Sequence, residues 1–449
     1  MVEREKIPRR RKLKFRHVAL AVLAVLVVTF GVFRVAVWAR LQARIEAIRA
    51  AGYPTTGAEL DAWYTIPASA DNAADHIMGA LTFLNVPDGP ETMGLPLFDR
   101  TRGLPTRTQS WDEPSRDRVA QLVSDNRKML DLLHGVVSIP ACRYPIDLSQ
   151  GFAERMSHLA PIRAAVRLLA LEVALAGEHD DAERAAQAIV SGYGLTRSLL
   201  GEPRVMSQIL RAAGDSAVGQ ALERVINRVG FSDAQLARIE TALVASYEPN
   251  AMSRAFIGER CLILQTLGDL RAAGMREPSV LLWDVCRALG LMDLAMIRSL
   301  DHAATHIEIA RLPPHRRRDA VAAAQVRLQA KSKVSFFLNA LIPAFGPTVV
   351  LELDGIVRFQ VTRTAVAVER CRLATGHLPE TLDDLTPAFL DAVPTDPFDG
   401  QPLRFQKLAP GFVVYSVGPD RTDDGGRERQ PTQPGQPGAP YDITFIVER

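Results

Sequence analysis

The chain of 449 residues is too long for one ordinary core and long enough for two or three. Its hydrophobic fraction of 47% suits a globular protein with one apolar insertion and argues against a multi-span transporter. A formal net charge of +2 supplies no global field for nucleic acid, so no nucleic-acid partner is expected.

The positive charge is concentrated at the start. Residues 1–16 carry Arg4, Lys6, Arg9, Arg10, Arg11, Lys12, Lys14 and Arg16 against Glu3 and Glu5, and read as a cytoplasmic basic tail. An apolar run from Val18 to Phe33 follows, is interrupted at Arg34 and resumes to Trp38. Residues 17–39 match the roughly 20 helical residues that cross a bilayer. That reading has Arg34 snorkel toward the interface and Trp38 sit among the headgroups. The rival is a cleaved signal peptide, whose apolar region spans about 7–15 residues before a small-x-small site. The longer run and the lack of such a site favour a permanent single-pass transmembrane anchor. The basic excess before the helix exceeds Arg40, Arg44 and Arg49 after it, so the N-terminus stays in the cytoplasm and the bulk lies beyond the membrane.

Residues 40–345 read as a helical domain. The stretch from Ala39 to Ala51 continues as an amphipathic helix stopped by Gly52-Tyr53-Pro54. Short helices are predicted over 57–63 and 71–84, then an irregular loop over 86–115, rich in Pro, Gly, Asp and Thr. Apolar residues at three- and four-residue spacing predict helices over 116–137, 152–176, 181–200, 203–229, 234–246, 252–273, 279–310 and 315–329. Ser232-Asp233 caps one of them. Around Gly177-Glu178-His179-Asp180, two helices meet at a tight polar turn with Asp180 or Asp181 as N-cap. The unit resembles a single tetratricopeptide-like hairpin, but the pattern does not recur at that family's roughly 34-residue period. An irregular α-hairpin bundle is the expectation. Residues 334–345 form a short apolar patch containing Pro343, read as core, with an interfacial contact as the alternative.

From about Pro347 the composition changes, and residues 347–449 read as a small α+β module. A long helix ends at Gly376, a natural C′ residue. Strands are predicted over 403–406, 412–417 and 441–449. The fold class is therefore mainly α: one N-terminal transmembrane helix, an α-hairpin bundle and a small C-terminal α+β module.

Several short motifs of that module occur in a fixed order: the helix exit Arg372 to Pro379, then Asp396-Pro397-Phe398-Asp399-Gly400, then Ser416, Gly418, Asp420, Gly425, Gly426 and Asp442-Ile443. From about residue 356 to 449 this text resembles the C-terminal domain of the type II secretion major pseudopilins. In that family the loop holds calcium, and the resemblance points to Asp420 and Asp442, with Asp423 and Asp424 added by proximity. The chemistry suits the ion, since Ca²⁺ takes about six to eight hard oxygens from carboxylates and backbone carbonyls. A solvated turn without metal is the alternative. The sequence departs from the family where Arg421 replaces a glycine, Phe398 replaces a tryptophan, and RERQPTQPGQPGAP lengthens the path to Asp442. The anchor also lacks the Gly-Phe processing site and the helix glutamate of a pseudopilin, so filament assembly is not expected. The overall layout is similar to large membrane-anchored proteins of planctomycete-type bacteria that end in this module, a resemblance that carries no activity. It implies the inner membrane of a bacterium, with the bulk periplasmic.

No GxSxG, HExxH, Walker or GxGxxG motif is present. His302 and His306 lie one helical turn apart and read as a polar helix face, with half a metal site as the alternative. Ser157-His158 and Cys142 with His134 are weak candidates for nucleophile pairs, because proximity in sequence does not give triad geometry. Arg316, Arg317 and Arg318 read as a solvated basic loop, an anionic lipid or partner contact being the alternative. Cys142, Cys261, Cys286 and Cys371 form no CxxC pair and are expected as buried free thiols, with one disulfide as the alternative. No catalytic residue is assigned. The leading expectation is a non-catalytic, membrane-tethered interaction or structural protein of the cell envelope with protein partners. The alternatives are an accessory component of a type II secretion or pilus-like system and an envelope hydrolase with an unrecognised site.

Overall fold

Helix α1, Arg9–Ala50, runs for 42 residues. Its side chains from Val18 to Phe33 stand exposed, whereas Val37 and Leu41 are buried. Among the described residues it is the one helix long and apolar enough to cross a membrane. The structure, a computed structural model, describes residues 9–67, 69–87, 94–99, 102–136, 138–272, 286, 288–329, 345–429 and 441–449. Most of the apolar stretch 334–345 and the start of the helix predicted over 279–310 lie outside them.

Beyond its apolar part, α1 packs on α11, Leu291–Arg311. Arg34 pairs with the buried carboxylate of Asp293 at 3.0 Å, and Arg44 with Asp301 at 2.9 Å. Arg34 is thus held by the protein body, where the sequence alone suggested a side chain reaching for headgroups.

The short helices α2 (Gly57–Trp63), α3 (Ala73–Leu81) and α4 (Glu113–Asp125) are each started by a side-chain cap. Thr56, Asn72 and Asp112 accept from Glu59, Ala74 and Ser115 backbone N–H groups, each satisfying a donor the helix leaves unpaired. The continuous helix predicted over 116–137 is broken into α4 and α5 (Arg127–Val136) at Asn126. Its fully buried amide donates to the carbonyls of Leu122 and Asn85 and accepts from Asn85 N–H. A tertiary contact there overrides periodicity.

Helices α6 (Leu159–Glu178), α7 (Ala182–Arg197), α8 (Val205–Ile226) and α9 (Asp233–Ala245) form the centre of the body. Helix α6 packs on α7 and α8, and α7 on α8 and α9. Asp181 caps α7 through Arg184 N–H, while Asp180 turns the chain at φ 54°. Ser232 and Gln235 make a reciprocal capping box on α9. The predicted start of α6 at 152 fails because residues 148–153 form a separate 3₁₀ turn. The irregular stretch before α4 is tied down by Arg224 of α8, which donates to the carbonyls of Pro105, Thr106 and Gln109 and pairs with Glu178. One buried guanidinium thereby satisfies a segment that has no ladder of its own.

Helices α10 (Ala251–Ala272), α11 and α12 (Pro314–Gln329) build a second core with Val37 and Leu41 of α1. The longest helix of the body, α13 (Phe345–Thr375), starts in that second core with Phe345 and Val349 and continues, from Leu353 to Cys371, in the first. Gly376 follows at φ 83° and ends it. An antiparallel sheet in the order β1 (Arg404–Lys407), β2 (Phe412–Ser416), β3 (Ile443–Val447) packs on α13, with Phe405 opposite Val414 and Val414 opposite Phe445.

Strand β3 is fastened to α8. Glu223 accepts from Ile446 N–H at 2.8 Å, and Asn227 clasps the Ile446 carbonyl and the Glu448 N–H. Burial pushes the Glu223 carboxyl up to about 7. The folded state then holds a proton that the unfolded chain has released between about pH 4.5 and 7, so this group's contribution to stability falls as pH rises through that window. Glu223→Gln keeps the acceptor oxygen and removes the titration. Its melting temperature is expected to exceed that of the wild type at pH 8 and to converge with it near pH 4.5, measured by circular dichroism.

Candidate functional site

Helix α8 carries a run of small residues, Ala212, Ala213, Gly214, Ser216, Ala217 and Gly219. They let neighbouring helices approach closely. A Cβ on Gly214 would stand 2.6 Å from Thr196 Cγ2, and one on Gly355 of α13 would stand 3.2 Å from Ala212 Cβ. Small side chains also leave hollows, and α8 is flanked by two, of about 330 and 390 Å³, which share Ile209, Ala213 and Gln220 as walls.

The first hollow lies between α8, α13 and the turn into α10. Tyr247 and Phe359 stack at its edge, with ring centroids 4.5 Å apart. Its charged lining consists of Arg211, Asp215, Glu248, Glu352, Asp354 and Arg358. Every one already has a partner: Arg211 with Asp215 at 3.0 Å, Glu352 with Arg317 at 2.9 Å, Arg358 with Asp354 at 2.8 Å, and Glu248 with Arg254. Burial pushes Asp215 up to about 6, with Arg211 and Thr196 opposing the shift, and burial also raises Glu352. The Asp215 oxygens are taken by Thr196 Oγ1 and Arg211 Nη1. Such a surface recognises polar groups and offers no unengaged base or nucleophile. Arg317 itself is buried, since it also donates to the Leu312 carbonyl at 2.8 Å. The basic run at 316–318 is therefore built partly into the core and is not a solvated loop.

The acidic loop of the C-terminal module is distinct. Asp442 is buried, and its oxygens accept from Gly426 N–H at 2.8 Å and Asp424 N–H at 3.4 Å. Its pKa is lifted by burial and by the negative charges of Asp423 and Asp424. Asp424 Oδ2 is enclosed and accepts no hydrogen bond from the described residues. Asp423 accepts from Gly425 N–H at 2.9 Å, and Asp420, further out, from Thr422 N–H at 3.1 Å. Gly418, Arg421, Gly425 and Gly426 all adopt positive φ. Arg421, at φ 61°, thus holds the left-handed backbone that glycine favours, and its side chain reaches Asp319 of α12 at 2.8 Å. Among the described residues no three His, Cys, Asp or Glu side chains converge as a ready metal shell.

Sequence reasoning missed the central carboxylate of this module. Asp396 is fully buried and accepts from Phe398 N–H, Ser416 Oγ, Val417 N–H and Arg404 Nη1, all between 2.9 and 3.0 Å. Its signal was the Asp-Pro-x-Asp-Gly turn, which marks a tight corner but not what the side chain ties together.

No known protein family, curated protein or solved structure matches this chain. Roles therefore rest on geometry. His302 and His306 are buried against Phe256 and Phe345, not displayed on a polar face. His306 Nδ1 bonds to the His302 carbonyl at 3.0 Å, and burial lowers its pKa. His158 stacks on Tyr144 and reaches buried Glu202 at 3.0 Å, while its neighbour Ser157 is exposed. His134 bonds Ser191 at 2.7 Å and pairs with Glu172. These histidines serve packing. All four cysteines are free, and burial pushes the Cys142 and Cys261 thiols up to about 12, which suppresses the reactive thiolate. Asp396→Ala leaves four donors without their acceptor. It is expected to destabilise the chain by about 3 kcal/mol, seen as a lower urea midpoint, whereas exposed Asp420→Ala changes it little.

Proposed function

We propose that the chain is a non-catalytic, membrane-tethered interaction or structural protein of the bacterial cell envelope. It is held single-pass in the inner membrane, its N-terminus cytoplasmic and its bulk periplasmic. The observation that carries this reading is the hollow between α8 and α13, whose charged lining residues are all ion-paired, with one another or with Arg254 and Arg317 behind them. Preorganised, neutralised polar surface suits recognition of a protein segment more than bond-making chemistry. Recovery from membranes tests it: the full-length protein is expected to retain specific partners, and Arg358→Glu, reversing a half-exposed charge at the hollow, to reduce their recovery about tenfold. Recovery of background proteins alone would sink the reading.

A second reading, an accessory of a type II secretion or pilus-like system, is favoured by one observation. The loop from Gly418 to Gly426 has positive φ at Arg421, the position where the resembling family has glycine. It predicts secretion subunits among the recovered partners. In either case we infer that the acidic loop takes calcium, supported by the unpartnered Asp424 Oδ2 beside the destabilised Asp442 carboxylate. Asp442, Asp424, Asp423 and Asp420 would supply carboxylate oxygens and the loop carbonyls the rest. Millimolar calcium is expected to raise the melting temperature of the full chain over that in chelator, and Asp424→Asn to abolish the difference. Equal melting with and without calcium refutes the ion.

A further inference from the structure

Helices α1 and α11 are held side by side by two ion pairs, Arg34 with Asp293 and Arg44 with Asp301. Both numbers of each pair rise together, so the helices run in the same direction. Helix α11 therefore begins beside the turn of α1 where its apolar run stops. The residue before α11 sits at the same level. Gly290, at φ 76°, lies so close to Arg34 that a Cβ there would stand 3.1 Å from its Cδ and collide with its guanidinium. Next to it, Ala288 and Leu289 are exposed, Leu289 by 45%.

Length decides what surrounds this turn. At about 1.5 Å per residue the run from Val18 to Phe33 spans about 24 Å, one turn short of the roughly 30 Å of bilayer hydrocarbon. The missing turn is residues 34–38. On it Val35 is 65% and Trp38 49% exposed, while Val37 is buried in the second core. An unpaired arginine in a span is costly, but Arg34 is neutralised by the buried Asp293, so the hydrocarbon need not end at it. A bilayer that covers Val35 and Trp38 also reaches the start of α11.

We propose that the start of α11, with Ala288 and Leu289, is seated in the bilayer beside α1, at the boundary between acyl chains and headgroups. The partner of this surface is the lipid itself, and the Arg34–Asp293 pair closes at its edge. The seat is shallow, because α11 begins without a side-chain cap and hydrocarbon offers its first N–H groups no acceptor. The inference rests on the reading of α1 as a membrane span and adds that the body enters the lipid with it.

The test places a nitroxide on Leu289→Cys or, separately, Ala288→Cys in the full chain, held in phosphatidylcholine nanodiscs. Val27→Cys in the apolar run is the lipid reference. Ala47→Cys, exposed about 20 Å beyond Phe33 along α1, is the water reference. Collisions with oxygen, which enriches among acyl chains, are compared with those of a neutral nickel chelate confined to water. The unsubstituted chain, whose own thiols are buried or half-buried, gives the background, and circular dichroism checks that each variant is folded. The oxygen-to-nickel ratio at 288 and 289 is expected to exceed that at 47 by about tenfold, as it does at 27. Ratios at 288 and 289 equal to that at 47, with 27 protected from nickel, would overturn the seat and leave the span standing. Protection of both positions from oxygen as well as nickel would also overturn it, since a protein surface would then cover them. Nickel access at 27 would refute the span and the seat together.

Discussion

One helix holds the parts of this protein in register. α13 runs for 31 residues and contributes to both cores, as α10 does through Cys261 and Leu262. Its first turns sit with Phe256 and the buried histidines; its later turns face α8, α9 and the sheet. Helix α1 joins the second core through Val37, Leu41 and the Arg34–Asp293 pair. A continuous packed path therefore leads from the apolar end of α1 through α11 and α13 to the C-terminal strands. Close-packed interiors transmit strain, so displacement at the apolar end of α1 is carried to the body and is not absorbed by a loose linker.

Buried polar groups specify where the irregular segments lie. Arg224 fixes the loop before α4, Glu202 and His158 fix the chain entering α6, and Asp396 fixes the corner before β1. Each gathers several donors or acceptors that have no place in a helix or a ladder. Pairs of this kind contribute little net stability against an apolar substitute, yet losing one partner strands the other. Their effect is to exclude alternative paths of the backbone. The same rule governs the first hollow on α8, where self-pairing leaves a fixed polar surface. The second hollow differs because most of its lining is apolar.

Much of the fold was legible in the sequence. The apolar run before Arg34, the three- and four-residue spacing of the body helices, the Ser232 cap, the Gly376 stop and the three short strands are local signals, fixed by side-chain period and by backbone conformations within a turn. Asn126, Arg34, Arg317 and the His302–His306 pair were misleading on their own. Their partners lie far off in the chain, at Asn85, Asp293, Glu352 and Phe345, and nothing in their immediate neighbourhood announces burial. Asp396 went unread for the same reason, since its acceptor role spans residues from Phe398 to Val417.

The hollows on α8 mark the limit most clearly. The small residues of that helix were plain in the sequence, but a small residue means either close packing or empty space, and periodicity cannot distinguish the two. Gly214 proves to be pressed against Thr196, while Ala213 and Ala217 border a cavity. By itself the sequence determined that the chain carries an apolar helix of membrane length, a mainly helical body and a short C-terminal sheet, because those properties are set by each segment's own pattern. Only the tertiary structure decided which charges neutralise one another and where space is left over, because both depend on which distant helix supplies the facing wall.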